Sequence, residues 1–279
     1  MFAHSSLLFV PGSRPDRFAK AKDAGAGLTV IDLEDAVSAP DKTEARDAAL
    51  THVSDGAGGW AIRINPVATA AGVADLAALG AADALPETLL LPMAETARDC
   101  EIVAQVLGER CPMLVPLVET PRALRNARAI AAAPRVAAVM FGGGDFAGVL
   151  GVTLAWEPLL TARQQLVLAC AEAEVPAIDV PFIHLDDADG LAEECARAEA
   201  LGFAAKAAIH PRQVAAIEGA FVPGEDAVNE AAEALQAYAG GGNQVMTHNG
   251  RMLEAPIIKR YQAIVAKHEA NKSEERANA

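Results

Sequence analysis

The chain alternates eight times between a short apolar segment rich in β-forming residues and a segment with the periodicity of an amphipathic helix. The eight apolar segments cover residues 5–11, 28–35, 60–65, 88–95, 113–119, 136–142, 176–182 and 203–210. Alternating strands and helices are typical of parallel βαβ units. Eight such units over about 215 residues predict an α/β fold of the closed TIM (β/α)8 barrel type. A doubly wound open sheet is the alternative, but no glycine-rich dinucleotide-binding fingerprint follows the first strand.

The segments after the eighth unit have a different pattern. QVMTHNGRML (244–253) predicts a β-hairpin, because Asn249-Gly250 suits a type I′ turn. EAPIIKRYQAIVAKHEA then predicts a helix with Pro256 near its first turn. We therefore predict a barrel over 1–240, a C-terminal hairpin and extra helix over 241–268, and a polar, disordered tail over 269–279. The extension packs either on its own barrel or on a neighbouring subunit, and the sequence leaves both open.

Charge and composition restrict the partners of the protein. The net charge of −14 disfavours nucleic acid, because a phosphate backbone requires a cationic face. It also means that an anionic substrate must be bound by a few local cations. No apolar run reaches the length of a membrane span, and the N-terminal residues lack the pattern of a signal peptide. The four cysteines have no metal-binding spacing, so we expect free thiols and a cytoplasmic protein with small-molecule partners.

Polar residues collect at the C-terminal ends of the predicted strands, where (β/α)8 barrels carry their chemistry. These residues are Arg14, Asp32, Glu34, Asp35, Arg63, Glu95, Glu119, Asp145, Asp179 and His210. Each one alone could be a solvated loop residue. As a set on otherwise apolar strands they would be unfavourable to bury without function or pairing, so they predict an active site at the mouth of the barrel.

Glu119 and Asp145 follow consecutive strands and are therefore expected to meet at the barrel mouth. Two carboxylates completed by substrate oxygens and water suit Mg²⁺, which rarely takes an all-protein cage. The three glycines that precede Asp145, Gly142, Gly143 and Gly144, would let backbone amides approach a bound anion, so we expect Gly143 and Gly144 to bind substrate. A tight turn followed by a surface aspartate is the alternative for this stretch.

Several motifs, taken together, resemble a known family. The chain contains, in order, SLLFVPGSRPDRFAKA, VIDLEDAV, IRINP, LVETPRAL, FGGGDFAGVLG, AIHPRQV and GRMLEAP. The same order is seen in the citrate lyase β-subunit-like proteins of the HpcH/HpaI aldolase superfamily. The resemblance runs from Ser5 to about Ala266 and so covers nearly the whole chain.

The resemblance implies a TIM barrel, a homo-oligomer that is often a trimer, and Mg²⁺-dependent making or breaking of a C–C bond. The implied substrates are short 3-hydroxyacyl thioesters of CoA or an acyl carrier, with a small 2-oxo acid as the other reactant. Carried over motif by motif, Glu119 and Asp145 resemble the metal ligands. Arg63 resembles the clamp for the 2-oxo acid carboxylate, and Asp35 resembles a catalytic residue near the metal-bound water.

The chain departs from the family pattern at two positions. Met93 in PMAE stands where the family usually has a lysine in a PKxE pattern, so one cation is missing from the barrel mouth. Glu254 in MLEAP stands where several members have an aspartate that acts on the thioester α-carbon from a neighbouring subunit. Glutamate keeps the charge and reaches one methylene further, so Glu254 is a candidate catalytic acid. A helix N-terminal acid facing the dipole is the alternative role.

Two further residues have competing interpretations. Arg14 leads a group of basic residues after the first strand and is the best-placed cation for CoA, whereas a solvated helix face is the alternative. His210 precedes a proline and a helix, which favours a structural role over a catalytic one.

We therefore expect a Mg²⁺-dependent C–C lyase acting on a thioester such as citramalyl-CoA, malyl-CoA or citryl-CoA. It would release, or condense, an oxo acid and an acetyl thioester. One alternative is a divalent-metal pyruvate aldolase that uses no thioester, which a failure to bind CoA would favour. Another is a carrier-dependent or non-catalytic subunit of a citrate lyase complex, which would leave free CoA esters untouched.

Overall fold

The protein, represented by a computed structural model that describes residues 2–55, 58–242 and 244–277, divides into two compact units. The first unit is Met1–Ile217 and the second is Glu218–Ala279. The first unit contains all eight strands of the predicted barrel and is described first.

The barrel strands occur in sequence order and are all parallel. They are β1 (Ser6–Pro11), β2 (Leu28–Asp32), β3 (Trp60–Arg63), β4 (Thr88–Leu91), β5 (Met113–Val118), β6 (Val139–Phe141), β7 (Ala177–Asp179) and β8 (Ala205–Ala208). Each strand pairs with the next, and β8 pairs with β1 through Ser6 and Lys206, so the sheet closes. The predicted TIM barrel is confirmed.

Helices follow the strands and cover the outside of the barrel. They are α1 (Phe18–Lys22), α2 (Lys42–Asp55), α3 (Ala70–Ala81), α4 (Ala97–Leu107), α5 (Pro121–Ala131), α6 (Gly143–Leu150), α7 (Trp156–Glu172), α8 (Ala188–Leu201) and α9 (Val214–Phe221), which extends into the second unit. Local sequence sets their starts. The Thr120 hydroxyl accepts a hydrogen bond from Ala123 N–H at the start of α5, and Pro121 occupies the first helical position.

Side chains on the strands alternate between the barrel interior and the surrounding helices. The interior is filled by small and branched apolar side chains: Leu7, Leu28, Val30, Ala61, Leu90, Val115, Leu117, Ala138, Met140, Ile178, Ala205 and Ala207. Two residues further along β2, β3 and β5, the next inward positions are Asp32, Arg63 and Glu119. The interior is therefore apolar until the C-terminal ends of the strands, where it becomes charged.

The second unit is formed by α10 (Glu225–Gly240), β9 (Met246–His248), β10 (Arg251–Leu253) and α11 (Ala255–Ala277). β9 and β10 form the predicted antiparallel hairpin, and its turn residues Asn249 and Gly250 both have positive φ, as a type I′ turn requires. Buried residues of the two helices and the hairpin form its core: Ala231, Ala234, Leu253, Ile258 and Tyr261.

The unit boundaries differ from those that the sequence suggested. The second unit begins at Glu218, before the predicted boundary at 240/241, and within this unit α10 packs on α11. The backbone of α11 is helical to Ala277, whereas a tail was expected from residue 269. Among the described residues, no helix is both long enough and apolar enough to cross a bilayer.

Candidate active site

A cavity of about 460 Å³ opens at the C-terminal ends of the barrel strands. Its lining residues are Phe9, Pro11, Asp32, Asp35, Ala36, Arg63, Leu117, Glu119, Met140, Gly142, Gly144, Asp145, Leu154, Val180, Pro181, Ile183 and Ile209. Of the residues predicted for the site, Asp35, Arg63, Glu119, Gly144 and Asp145 meet at this cavity. The side chains that the strand-end rule grouped therefore lie at one cavity, and their roles stay predictions.

The charged residues of the lining are strongly unbalanced in sign. Four carboxylates, Asp32, Asp35, Glu119 and Asp145, face the cavity together with one guanidinium, that of Arg63. The rest of the lining is apolar or glycine. Ionised carboxylates in a partly buried cavity need positive charge nearby, and one arginine supplies only part of it.

Arg63 is held by acids at the end of β2 and in the loop that follows it. Its Nε and Nη2 donate to the two carboxylate oxygens of Asp32, each at 2.7 Å, in a bidentate pair. Its Nη1 lies 2.8 Å from Glu34 Oε2, and its guanidinium lies over the Phe9 ring with 5.3 Å to the ring centroid. Burial would lower the pKa of Arg63, but the hydrogen bonds and charge of Asp32 outweigh it, so the pKa is raised and the cation is permanent.

Glu34 was identified in the sequence only as one of several strand-end acids, and the structure makes it a neighbour of the arginine. Burial raises the pKa of Glu34 to about 7, and the nearby charges of Asp35 and Asp32 act in the same direction, against the opposing effect of Arg63. Glu34 therefore titrates near neutral pH while Arg63 stays charged. The DLED stretch (32–35) thus surrounds Arg63 with three carboxyl groups, those of Asp32, Glu34 and Asp35.

Glu119 is almost completely buried, with 3% of its surface exposed. Burial raises the pKa of Glu119 to about 8, although the hydrogen bond from Met93 N–H to Oε2 opposes the shift. The charges of Glu34 and Asp145 raise it further. A buried carboxylate without a strong cation partner is the situation in which a bound metal ion restores the charge balance.

The three glycines of FGGGD have three different surroundings. A Cβ atom on Gly142 would lie 2.1 Å from Glu119 Cγ, so residue 142 must be glycine for Glu119 to keep its position. A Cβ atom on Gly143 would meet Phe141, Leu154 and Val180 side chains at 3.0 to 3.2 Å. At Gly144 a Cβ atom would have open space within 4 Å. Close approach to Glu119, rather than a tight turn alone, explains the first glycine.

Met93 has a backbone conformation that is unusual for a residue with a side chain. Its φ is 50°, in the left-handed region, and this conformation places its N–H on the Glu119 carboxylate. The side chain is 40% exposed. Residue 93 therefore contributes to the site through its backbone N–H.

Asp179 ends β7 but faces outward, away from the cavity. It is fully buried and pairs with Arg163 Nε at 2.8 Å and with Lys206 Nζ at 2.7 Å. Lys206 also donates to Glu194 at 2.7 Å. Burial would raise the pKa of Asp179, but the two cations lower it. This ion network joins the sheet to α7 and α8 and is structural.

Three other strand-end residues also have structural partners. Glu95 accepts a hydrogen bond from the Thr120 hydroxyl at 2.7 Å, and this contact fixes the start of α5. His210 Nδ1 accepts from Arg212 N–H in a cap of the following 3-10 turn, as the structural interpretation predicted. Arg14 is exposed, and its guanidinium donates two hydrogen bonds to the Asp16 carboxylate, at 2.7 and 2.8 Å. Arg14 is not among the lining residues of the cavity.

Glu254 belongs to the second unit. It lies between β10 and α11, and its backbone carbonyl accepts a hydrogen bond from Ile258 N–H at the start of that helix. Its position agrees with the helix N-terminal interpretation, and its catalytic role stays a prediction.

Gly143 is buried within the first turn of α6 and packs against its neighbours rather than lining the cavity.

Sequence comparison identifies the class of enzyme that this barrel and its acidic mouth define. The model of the HpcH/HpaI aldolase/citrate lyase family matches residues 5–211, and the chain belongs to this family. It is 30% identical to the mitochondrial citramalyl-CoA lyase of Rattus norvegicus over 93% of this chain and 84% of that one. It is 32% identical to a citrate lyase subunit beta-like protein of Deinococcus radiodurans over 95% and 97% of the two chains.

A solved structure has the same fold over most of the chain. CitE of Mycobacterium tuberculosis, in complex with magnesium, acetoacetate and coenzyme A, superposes with a TM-score of 0.80. The identity is 29%, and the match covers 96% of this chain and 98% of that chain. The family predicted from the motifs is confirmed.

Proposed function

We propose that the protein is a Mg²⁺-dependent carbon–carbon lyase that cleaves, or forms by condensation, a short 3-hydroxyacyl thioester. The products of cleavage are a 2-oxo acid and an acetyl thioester. The observation that carries the proposal is the meeting of Arg63, Glu119 and Asp145 in one cavity at the barrel mouth. Two comparisons support this proposal. One relative is named as a citramalyl-CoA lyase, and another was solved in complex with magnesium, acetoacetate and coenzyme A.

Glu119 and Asp145 would hold the metal ion. The donor set fits Mg²⁺, because both groups offer hard carboxylate oxygens at one cavity. Mg²⁺ accepts one or two protein carboxylates and fills its remaining positions with water and substrate oxygens. When bound, it polarises the substrate hydroxyl and the adjacent carboxylate, which lowers the pKa of that hydroxyl.

Arg63 would bind the carboxylate of the oxo acid half. A guanidinium has five N–H groups, and the hydrogen bonds to Asp32 use two of them, while Glu34 forms an ion pair with Nη1. One N–H on each of Nη1 and Nη2 is left for a second bidentate carboxylate. Asp32 thus acts as the residue that fixes the plane of the guanidinium, and substrate binds to its opposite edge.

Cleavage requires two proton transfers, one from the substrate hydroxyl and one to the enolate carbon. Removal of the substrate hydroxyl proton lets its oxygen form the new carbonyl, while the C–C bond breaks and its electrons pass to the thioester enolate. A proton delivered to the enolate carbon gives the acetyl thioester. Asp35, on the cavity wall 3.7 Å from Arg63 Nη1, is the proposed acceptor of the hydroxyl proton. Glu254 is the proposed donor to the enolate carbon.

The rest of the substrate would be held outside the charged cavity. Gly144 offers its backbone at the wall, and Gly143 begins the helix behind it. Arg14 is the proposed contact for a CoA phosphate, and its pair with Asp16 would open on binding because both side chains are solvent-exposed. We further propose a cytoplasmic homo-oligomer, in the form of a trimer.

The experiment is to incubate purified protein and Mg²⁺ with citramalyl-, malyl- and citryl-CoA and to follow products by mass spectrometry. Release of acetyl-CoA and an oxo acid, lost in Glu119→Ala and on chelation, is the expected result. Glu101→Ala, which removes an acid of α4 that pairs with Arg98 and is not among the lining residues of the cavity, is the matched control and should cleave normally. If all esters stay intact although the protein binds Mg²⁺ and an oxo acid, the lyase proposal is wrong. A thioester-free aldolase or a carrier-dependent subunit would then replace it.

A further inference from the structure

Resting on the proposed function, we infer that Glu95 is a positioning residue for Glu119. Glu95 lies in the loop between β4 and α4 and is not among the residues that line the cavity. Its carboxylate accepts a hydrogen bond from the Thr120 hydroxyl. This contact holds the loop in the conformation that directs the Met93 N–H to the Glu119 carboxylate. Glu95 thus sets the position of a proposed metal ligand without touching the metal ion.

The position of the Glu119 carboxylate depends on contacts with two other loops. Its Oε2 accepts the hydrogen bond from Met93 N–H. On the other side, Cγ and Oε1 pack so closely beside the backbone of Gly142 that no Cβ atom fits there. The carboxylate therefore stays in place only while the backbone of residue 93 stays in place.

The backbone of residue 93 needs support from the loop around it. Met93 has a φ of 50°, and a residue with a side chain keeps this left-handed conformation only where the surrounding structure holds it. The Met93 side chain is 40% exposed, so its own packing supplies little of that support. The residues that follow Met93 in the loop must supply the rest.

Glu95 fastens the loop to both neighbouring helices. Its Oε1 accepts from the Thr120 hydroxyl at 2.7 Å, and its backbone carbonyl accepts from Asn126 Nδ2 at 2.8 Å. The N–H groups of Glu95 and Thr96 donate to Asp99 Oδ2 at 3.0 and 2.8 Å. The contacts of Asn126 and Asp99 are with the backbone of residue 95 or 96. The particular contribution of the Glu95 side chain is therefore its bond with Thr120.

Because Thr120 directly follows Glu119 in the chain, the contacts close a ring. The β4–α4 loop and the end of β5 are joined by two hydrogen bonds, one to the Glu119 carboxylate and one to the Glu95 carboxylate. Each bond holds the partners of the other near one another, which lowers the entropy cost of forming it. Loss of the Glu95 bond should therefore loosen the bond from Met93 N–H to Glu119.

Side-chain substitutions can open this ring or keep it closed. Glu95→Ala and Thr120→Val open it, whereas Glu95→Gln keeps an acceptor oxygen and Thr120→Ser keeps a hydroxyl donor. Thr69→Val is the matched control for the loss of a capping threonine. Thr69 also caps a helix, accepting from Gly72 N–H, and its hydroxyl also donates, to the Pro66 carbonyl at 2.7 Å. It makes the same two kinds of contact without touching Glu95.

The experiment measures hydrogen exchange of the Met93 amide and Mg²⁺ affinity, both without thioester. The chain has six methionines, so selective ¹⁵N-methionine labelling gives few NMR signals, and Met140 in β6 reports opening of the barrel. In Glu95→Ala and Thr120→Val, the Met93 amide should exchange about 10-fold faster relative to Met140, as expected for the loss of one hydrogen bond. Mg²⁺ should bind about 10-fold more weakly. Glu95→Gln, Thr120→Ser and Thr69→Val should stay near the wild type.

Unchanged exchange of the Met93 amide or unchanged Mg²⁺ affinity in Glu95→Ala would overturn the inference. An equal loss in Glu95→Gln would also overturn it, since the charge of residue 95 rather than its hydrogen bond would then be responsible. An equal loss in Thr69→Val would do the same, because the loss of any helix cap would then explain the effect.

The same readouts separate this inference from the proposed function. If the wild type binds Mg²⁺ but cleaves no thioester, the lyase proposal fails, and exchange at Met93 together with Mg²⁺ affinity still decides the role of Glu95. If the wild type binds no Mg²⁺, the proposed function fails, and the exchange of the Met93 amide alone decides whether Glu95 holds the contact between Met93 and Glu119.

Discussion

Gly142→Ala isolates the geometric requirement of the proposed metal site. The new Cβ would lie 2.1 Å from Glu119 Cγ, 2.8 Å from Cδ and 2.7 Å from Oε1. Carbon atoms that are not bonded pack at about 3.5 to 4.0 Å, so the Glu119 side chain must move by more than about 1 Å. The backbone of residue 142 has φ −88°, which alanine adopts without strain. Displacement of the carboxylate is therefore the main consequence.

A misplacement of about 1 Å at a catalytic group lowers the rate about 100-fold, or about 2.7 kcal/mol of transition-state stabilisation. We expect Gly142→Ala to lose about this much kcat/KM and to bind Mg²⁺ more weakly in calorimetric titration. Gly148→Ala is the matched control, because Gly148 lies on the same helix, α6, with open space around its would-be Cβ. The reasoning is refuted if Gly142→Ala binds Mg²⁺ and cleaves thioester as well as the wild type does, or if Gly148→Ala is equally impaired.

Three further predictions concern the raised pKa values, the buried ion network and the backbone of Met93. Because burial raises the pKa values of Glu119 and Glu34 above their unfolded values, the metal-free protein binds extra protons, so its stability falls as the pH rises from about 4.5 to about 8. Thermal unfolding in chelator should show that the free energy of unfolding falls by about 1.4 kcal/mol per pH unit for each such group. Glu119→Gln removes one of the two groups, and a free energy that does not change with pH in both the wild type and this variant would contradict the prediction. Lys206→Met leaves Asp179 buried with one cation instead of two. The free energy of unfolding, measured by urea denaturation, should fall by about 3 to 5 kcal/mol, while the selectivity among thioesters should not change. An unchanged urea midpoint would show that the ion network contributes little to stability. Met93→Val should weaken Mg²⁺ binding, because β-branched residues disfavour the left-handed backbone that directs the N–H of residue 93 to Glu119. Met93→Gly should retain Mg²⁺ binding. Equal Mg²⁺ affinities of the two variants would show that this backbone conformation is not needed.

Much of the fold followed from the sequence because each βα unit carries its own pattern. The strand-end rule also placed Arg63, Glu119 and Asp145 in one cavity. The rule did not distinguish inward from outward positions, and so it grouped Asp179 with them. Counting by twos from the apolar interior residues would have separated the two sets, since Ile178 faces inward and its neighbour Asp179 must face the helices.

Other features of the site depend on contacts between distant segments and had no local signal. The pair between Asp32 and Arg63 joins β2 to β3, and the hydrogen bond from Met93 to Glu119 joins β4 to β5. The reason for Gly142 is likewise a side chain 23 positions earlier in the chain, Glu119. The division of the chain at Glu218 depends on how α10 packs, which its sequence period alone does not reveal.

The central claim is that Glu119 and Asp145 hold the catalytic metal ion at the mouth of the barrel. Crystals of the protein soaked with Mn²⁺, which binds at Mg²⁺ sites and gives a strong anomalous signal, test it most directly. The account predicts one anomalous peak within coordination distance of both carboxylates, about 2.0 to 2.3 Å, and its absence in crystals of Glu119→Gln. A peak elsewhere, or a peak that survives in Glu119→Gln, would contradict the account.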